Sequence, residues 1–283
     1  MKQRIQNGLS GTALKTIALV LMLLDHIHYF FEFTGLVPVW FSMLGRLAAP
    51  LFLFCTVEGF AHTHDRKRYI LRIWLLGAAM GTVEFFMMYA GALRRGDDFY
   101  PQNAIFLALF WLCIDWLRQK KWLPGLAAVL GPIVWPFIVA GILTAFAPQI
   151  TQTPASSSWF VYLITAVLPM WSTITDGGWF FLLGGILLYA LYNHKTLRLL
   201  AWAGMSFLSD FLLVYLQVRR LPDFTFAQMF TVYYEWLGIF AVVLMLLYNG
   251  KRGRGCKPLF YIFYPAHVYI LYALSCLTYT LTL

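Results

Sequence analysis

Charge is what this chain has least of. Only 12% of its 283 residues are Asp, Glu, Lys or Arg, against roughly 25% in soluble globular domains. The shortage runs the whole length, so no stretch is polar enough to form a sizeable soluble domain. Cysteine is scarce too. Cys55, Cys113, Cys256 and Cys276 are the four, and none forms a C-x-x-C pair. Three of them lie in apolar stretches, which argues against a disulfide framework and against a zinc site. Strands of alternating polarity are absent, which argues against an outer-membrane barrel. Lys2 and Arg4 open the chain, but no small-residue cleavage site follows the first apolar stretch. That stretch therefore reads as a retained span, not a signal peptide. No internal repeat and no linker stand out, and residues 1–283 read as one domain.

What is abundant is hydrophobic side chain, 61% of the total, with a mean hydropathy of +0.70. The fold class this implies is all-α: a polytopic transmembrane helical bundle in a lipid bilayer. Expected spans cover about 13–31, 39–61, 69–90, 101–117, 123–146, 180–192, 199–216, 228–248 and 258–280. The segment 158–173 is short, contains Pro169 and either crosses or re-enters. The count is thus nine to ten. The net charge of +9 is concentrated in short loops: 62–68, 118–121, 193–198 and 249–257. Basic short loops mark the cytoplasmic side, so the N-terminus is expected inside, and the charge calls for no nucleic acid. The last two basic loops are cytoplasmic only if 158–173 does not cross.

Ionisable groups at membrane depth are costly and usually serve a function. Asp25 and His26 interrupt the first span. Lys15 lies eleven residues before His26, close to three whole turns, so the two share a face about 16 Å apart. His26 is a candidate general base, or a histidine satisfied within the bundle. Asp25 and His26 themselves point about 100° apart and do not pair by spacing. Arg46 sits inside the second span and needs an anion, for which Asp25 or Glu58 would serve. Glu58 and His62 are one turn apart at the end of that span, as a pair or as an interfacial cluster. Arg66, Lys67, Arg68 and Arg72 open the third span, with Arg68 and Arg72 also one turn apart. Paired guanidinium groups suit phosphate, although cytoplasmic helix ends are basic without any ligand. Glu84, Asp210, Glu235 and Asn103 also interrupt spans. His267, two residues after Pro265 in the last span, makes a polar centre shared with His26 a second expectation. His26-x-His28 and His62-x-His64 diverge by about 200° on a helix, so no metal is expected.

Three runs carry a resemblance. They are LKTIALVLMLLDHIHYFF, LGRLAAPLFLFCTVEGFAHTHDRKRYILRI and YNGKRGRGCKPLFYIFYPAHVYILYAL, with Asn103-Ala104-Ile105-Phe106 between the last two. Together they resemble the TraX family, named for a conjugation protein that N-acetylates pilin. That family is distantly similar to the acyltransferase-3 superfamily of membrane acyltransferases. There a basic residue, ten residues and a His mark the first span, as Lys15 and His26 do. Glu58-Gly59-Phe60 stands where that superfamily has Ser-Gly-Phe, and Tyr264-Pro265-Ala266-His267 loosely matches its Tyr-x-x-His. The resemblance implies transfer of an acyl group, acetyl above all, from cytoplasmic acetyl-CoA to an amine- or hydroxyl-bearing acceptor at or across a bacterial inner membrane. His26 would be the base, with Asp25, Arg46, Glu58 and His267 around it. Lys15, Arg66, Lys67, Arg68 and Arg72 would hold the CoA phosphates. The alternative is a proton-coupled transporter that uses the same buried groups as a relay. Self-association stays open.

Overall fold

The computed structural model describes residues 8–89, 95–96, 119–146, 178–255 and 257–282. The expected span 101–117, Asn103, the loop 147–157 and the segment 158–173 lie outside them. The described chain is helical, with no strand among the described residues. Its helices are α1 (Gly11–Phe31), α2 (Trp40–Gly45), α3 (Ala48–His62), α4 (Arg66–Tyr89), α5 (Trp122–Phe146), α6 (Gly178–Ala190) and α7 (Lys195–Ser206). A π-helical stretch, Phe207–Leu213, joins α7 to α8 (Val214–Val218). Then come α9 (Gln228–Thr231), a 3-10 turn Glu235–Phe240, α10 (Ala241–Leu246) and α11 (Lys257–Thr282).

Four segments among the described residues are long and apolar enough to cross a bilayer: Gly11–Thr34, Trp40–His62, Lys195–Val218 and Leu259–Thr282. The expected span 39–61 corresponds to Trp40–His62, whose helix is interrupted between Gly45 and Ala48. Pro50 has no N–H to give the Arg46 carbonyl and cannot continue a helix from there. The expected span 228–248 is likewise divided, leaving the shorter apolar segment Glu235–Leu246. Gly238 within it lies so close to the Arg46 carbonyl that a Cβ would stand 3.2 Å from that oxygen.

The chain forms two compact units. One holds Met1–His62 with Leu183–His267, the other Thr63–Leu182 with Val268–Leu283. In the first, Leu14, Ala18 and Met22 recur every four residues along α1 and are buried, as a helical face requires. They join Leu51, Phe54, Val57 and Phe60 of α3 and Leu199 and Trp202 of α7 in the core. Gly184 allows α6 to meet Trp202, whose ring fills the space of a side chain. Large apolar residues such as Val20, Leu200 and Ile262 face outward, as a lipid solvent permits. In the second unit the Tyr269 hydroxyl donates to the Met80 carbonyl at 2.9 Å, tying α11 to α4.

The start of α1 is held from both directions. Ser10 Oγ accepts from Ala13 N at 3.2 Å, capping the helix. Gly11 N and Thr12 N donate to the Lys251 and Arg252 carbonyls at 2.8 and 2.9 Å. Leu9 N donates to Leu247 O, and Asn249 N to Leu9 O. Gly250 and Gly253 take φ of +76° and +78°, the left-handed turns this wrapping needs.

Candidate functional site

Asp25 faces α2 from the last two turns of α1. Its Oδ1 accepts from Ser42 Oγ at 2.9 Å and from Arg46 Nη2 at 3.2 Å. Arg46 Nη2 also donates to Ser42 Oγ at 2.5 Å. Ser42 and Arg46 are one helical turn apart, which places both donors on one face. Gly45 between them is required, because any Cβ there would overlap the Asp25 side chain. The Arg46 guanidinium lies 5.6 Å from the Tyr234 ring centre, a favourable cation–π distance. The intramembrane Arg thus has Asp25 as its anion, not Glu58.

His26 meets His267. The His26 Nδ1 to His267 Nε2 distance is 2.6 Å. The ring centres are 4.8 Å apart and the planes differ by 11°. That separation is the N···N distance plus two ring radii, so the rings lie end to end and coplanar instead of face to face. His267 Nδ1 is 2.8 Å from the Phe263 carbonyl one turn back. Arg46 lies within electrostatic range of His26. The first and last spans therefore share one polar centre, built from Asp25, His26, Ser42, Arg46 and His267.

Glu58 belongs to a separate group in the same unit. Twelve residues beyond Arg46, it lies about 18 Å further along the chain's helical path. Its Oε1 pairs with Arg198 Nη2 of α7 at 2.7 Å, with both side chains buried. Arg198 lies 4.7 Å from the Phe54 ring centre and 5.2 Å from that of Tyr192. Tyr192 OH is 3.4 Å from Glu58 Oε2, and His62 Nδ1 is 3.8 Å from it. Lys195 Nζ donates to the Leu246 and Tyr248 carbonyls at 3.2 and 3.1 Å. Lys15, in the second turn of α1, lies 5.9 Å from the Phe260 ring centre and within electrostatic range of Cys55.

The basic group Arg66, Lys67, Arg68 and Arg72 is in the other unit, on the first two turns of α4. Asp65 caps that helix, accepting from Arg68 N at 3.0 Å, and its Oδ2 pairs with Arg68 Nε at 3.1 Å. Lys67, Arg68 and Arg72 are exposed. Cations on the first turns oppose the helix dipole, so an anion bound there would gain from both.

Asp210 sits in the π-helical stretch, bonded to Ser209 Oγ at 2.8 Å, and Glu235 opens the 3-10 turn. The side chain of Glu84 lies outside the described set. Among the described residues no group of three or more His, Cys, Asp or Glu side chains could hold a metal. Sequence reading missed three members of these groups. Ser42 carried no charge to single it out. Arg198 was read only as part of a basic loop. Tyr192 was one of sixteen tyrosines.

The TraX protein family profile matches residues 10–275, most of the chain. Protein TraX of Escherichia coli is 32% identical over 124 residues, 43% of this chain and 46% of that protein. The matched stretch thus spans about half the length of that curated relative. No solved structure matches. With the profile running from the cap of α1 nearly to the end of α11, the chain belongs to the TraX family.

Proposed function

We propose that this membrane protein is an acyltransferase that moves an acetyl group from cytoplasmic acetyl-CoA to an amine- or hydroxyl-bearing acceptor. One observation carries the reading: a His26 imidazole bonded in plane to a second imidazole, next to a paired carboxylate and guanidinium. That is a base with an orienting partner, beside fixed positive charge in a low-dielectric site.

A thioester is already activated, so the protein needs positioning, one base and charge stabilisation. The acceptor's N–H or O–H gives its proton to His26 as its lone pair adds to the thioester carbonyl. The C–S bond breaks, and the proton passes from His26 to the departing CoA thiolate. Arg46, held by Asp25 and Ser42, offsets the developing oxyanion. Arg66, Lys67, Arg68 and Arg72 hold the CoA phosphates.

Contacts within the first unit support the proposed crossing pattern, and the basic short loops support its orientation. The bonds from Leu9, Gly11 and Thr12 to residues 247–252 hold the N-terminus against the last basic loop. Both then lie on one membrane face, and an even number of crossings separates them. With α11 added the total is odd. We infer from this nine crossings, with a cytoplasmic N-terminus in the inner membrane. Cysteines placed at His64 and Asn249 in a background free of native cysteine should both label from the cytoplasm. Labelling of either from outside intact cells would overturn the orientation and the donor route together.

The activity is tested with purified protein in nanodiscs, acetyl-CoA, and a panel of amines, sugars and peptides. Release of CoA coupled to an acetylated acceptor is expected. Solute or proton flux with acetyl-CoA untouched would instead favour the transporter reading.

A further inference from the structure

We infer that His267 is a positioning residue that fixes the tautomer of His26, making Nε2 of His26 the nitrogen that accepts the proton. This rests on the acyltransferase reading for its catalytic meaning, but not for its structural content.

With both imidazoles neutral, the chain of bonds has one consistent assignment. A neutral imidazole carries one N–H and one bare nitrogen. The Phe263 carbonyl can only accept, so His267 Nδ1, 2.8 Å away, must be the N–H. The Tyr264 carbonyl is close enough to add to that bond. His267 Nε2 is then bare and accepts. Its partner at 2.6 Å, His26 Nδ1, must donate. That leaves His26 Nε2 with its lone pair free of the dyad. The reverse assignment would turn two lone pairs toward each other, His267 Nδ1 against the Phe263 oxygen, in a site with little water to intervene. The end-to-end coplanar rings are what an in-plane N–H···N bond requires.

The bond to the Phe263 carbonyl, one turn back on the same helix, anchors the second imidazole, which anchors the first. An Nδ1–H tautomer presenting Nε2 is the arrangement a third group commonly imposes on a catalytic histidine. Here a second histidine and a backbone carbonyl supply what a carboxylate does elsewhere.

The test is nitrogen-15 NMR of histidine-labelled protein in nanodiscs, at a pH where imidazoles are neutral. The His26 and His267 signals are assigned by their loss in His26→Gln and His267→Gln. Both residues should show Nδ1 protonated and Nε2 bare, with a coupling between His26 Nδ1 and His267 Nε2. A protonated Nε2 on either residue in the wild-type spectrum overturns the proposal. In His267→Gln the amide oxygen can still accept, and His26 should keep its Nδ1–H. In His267→Phe it should move to Nε2–H. Retention of Nδ1–H in a folded His267→Phe protein would also overturn it. Where transfer is measured, kcat should fall at least tenfold in His267→Phe with donor KM unchanged, and His267→Gln should recover most of it. Equal loss in both variants would overturn the positioning role. If the NMR result holds and no acceptor is acetylated, only the acyltransferase reading fails.

Discussion

Removing Glu58 should unfold this protein more readily than it disturbs chemistry. Arg198 is almost fully buried, with its side chain 4% exposed, and Glu58 Oε1 at 2.7 Å is its carboxylate partner. Among the described residues its Nε and Nη1 have no hydrogen-bond partner, and the guanidinium is held there by that ion pair and by the Phe54 and Tyr192 rings. Truncating one member of a buried pair leaves an uncompensated charge and costs about 3–5 kcal/mol. For a chain of this size that lowers Tm by on the order of 10 °C. Glu58→Ala and Arg198→Met should each show this drop in thermal unfolding monitored by fluorescence in detergent. Replacing the pair together, Glu58→Leu with Arg198→Met, removes both charges and preserves volume. Such double replacements are often neutral, so the double variant should melt above either single one. Additive losses would refute the reasoning, because they would mean that the two side chains act independently. So would a Glu58→Ala protein that melts like wild type.

Other expectations follow from single contacts. Gly45→Ala should cost about 1–3 kcal/mol by overpacking Asp25, and should loosen the Asp25–Arg46 pair; a melting temperature equal to wild type would refute the tight approach. Arg68→Ala with Arg72→Ala should weaken CoA binding by about 1–3 kcal/mol per lost charged contact, with a reduced salt dependence. Unchanged titration isotherms in a folded double variant would remove the cluster from the donor site.

Which of these features the sequence could disclose depended on their chemistry. The Asp25–Arg46 pair was legible because an arginine inside an apolar span must find an anion, and only two candidates were near in sequence. The His26–His267 meeting was legible because two histidines at membrane depth favour a common polar centre. The partner of Glu58 was not legible. Arg198 lies 140 residues away, and its charge next to His194 and Lys195 looked like ordinary loop basicity. Ser42 is silent in any hydropathy pattern, and only the turn spacing to Arg46 gives it meaning. The break after Gly45 follows from Pro50, whose missing N–H outweighs a continuous apolar pattern. The division of 228–248 falls between Thr231 and Glu235.

The central claim is that His26 is the base for acyl transfer. The direct measurement is acetyl transfer by purified wild-type and His26→Ala protein in nanodiscs, with donor binding and melting temperature recorded on the same samples. The account predicts a fall of roughly 10²–10⁴-fold, the usual contribution of a positioned base, with donor affinity and folding retained. Transfer by folded His26→Ala at near the wild-type rate would contradict it.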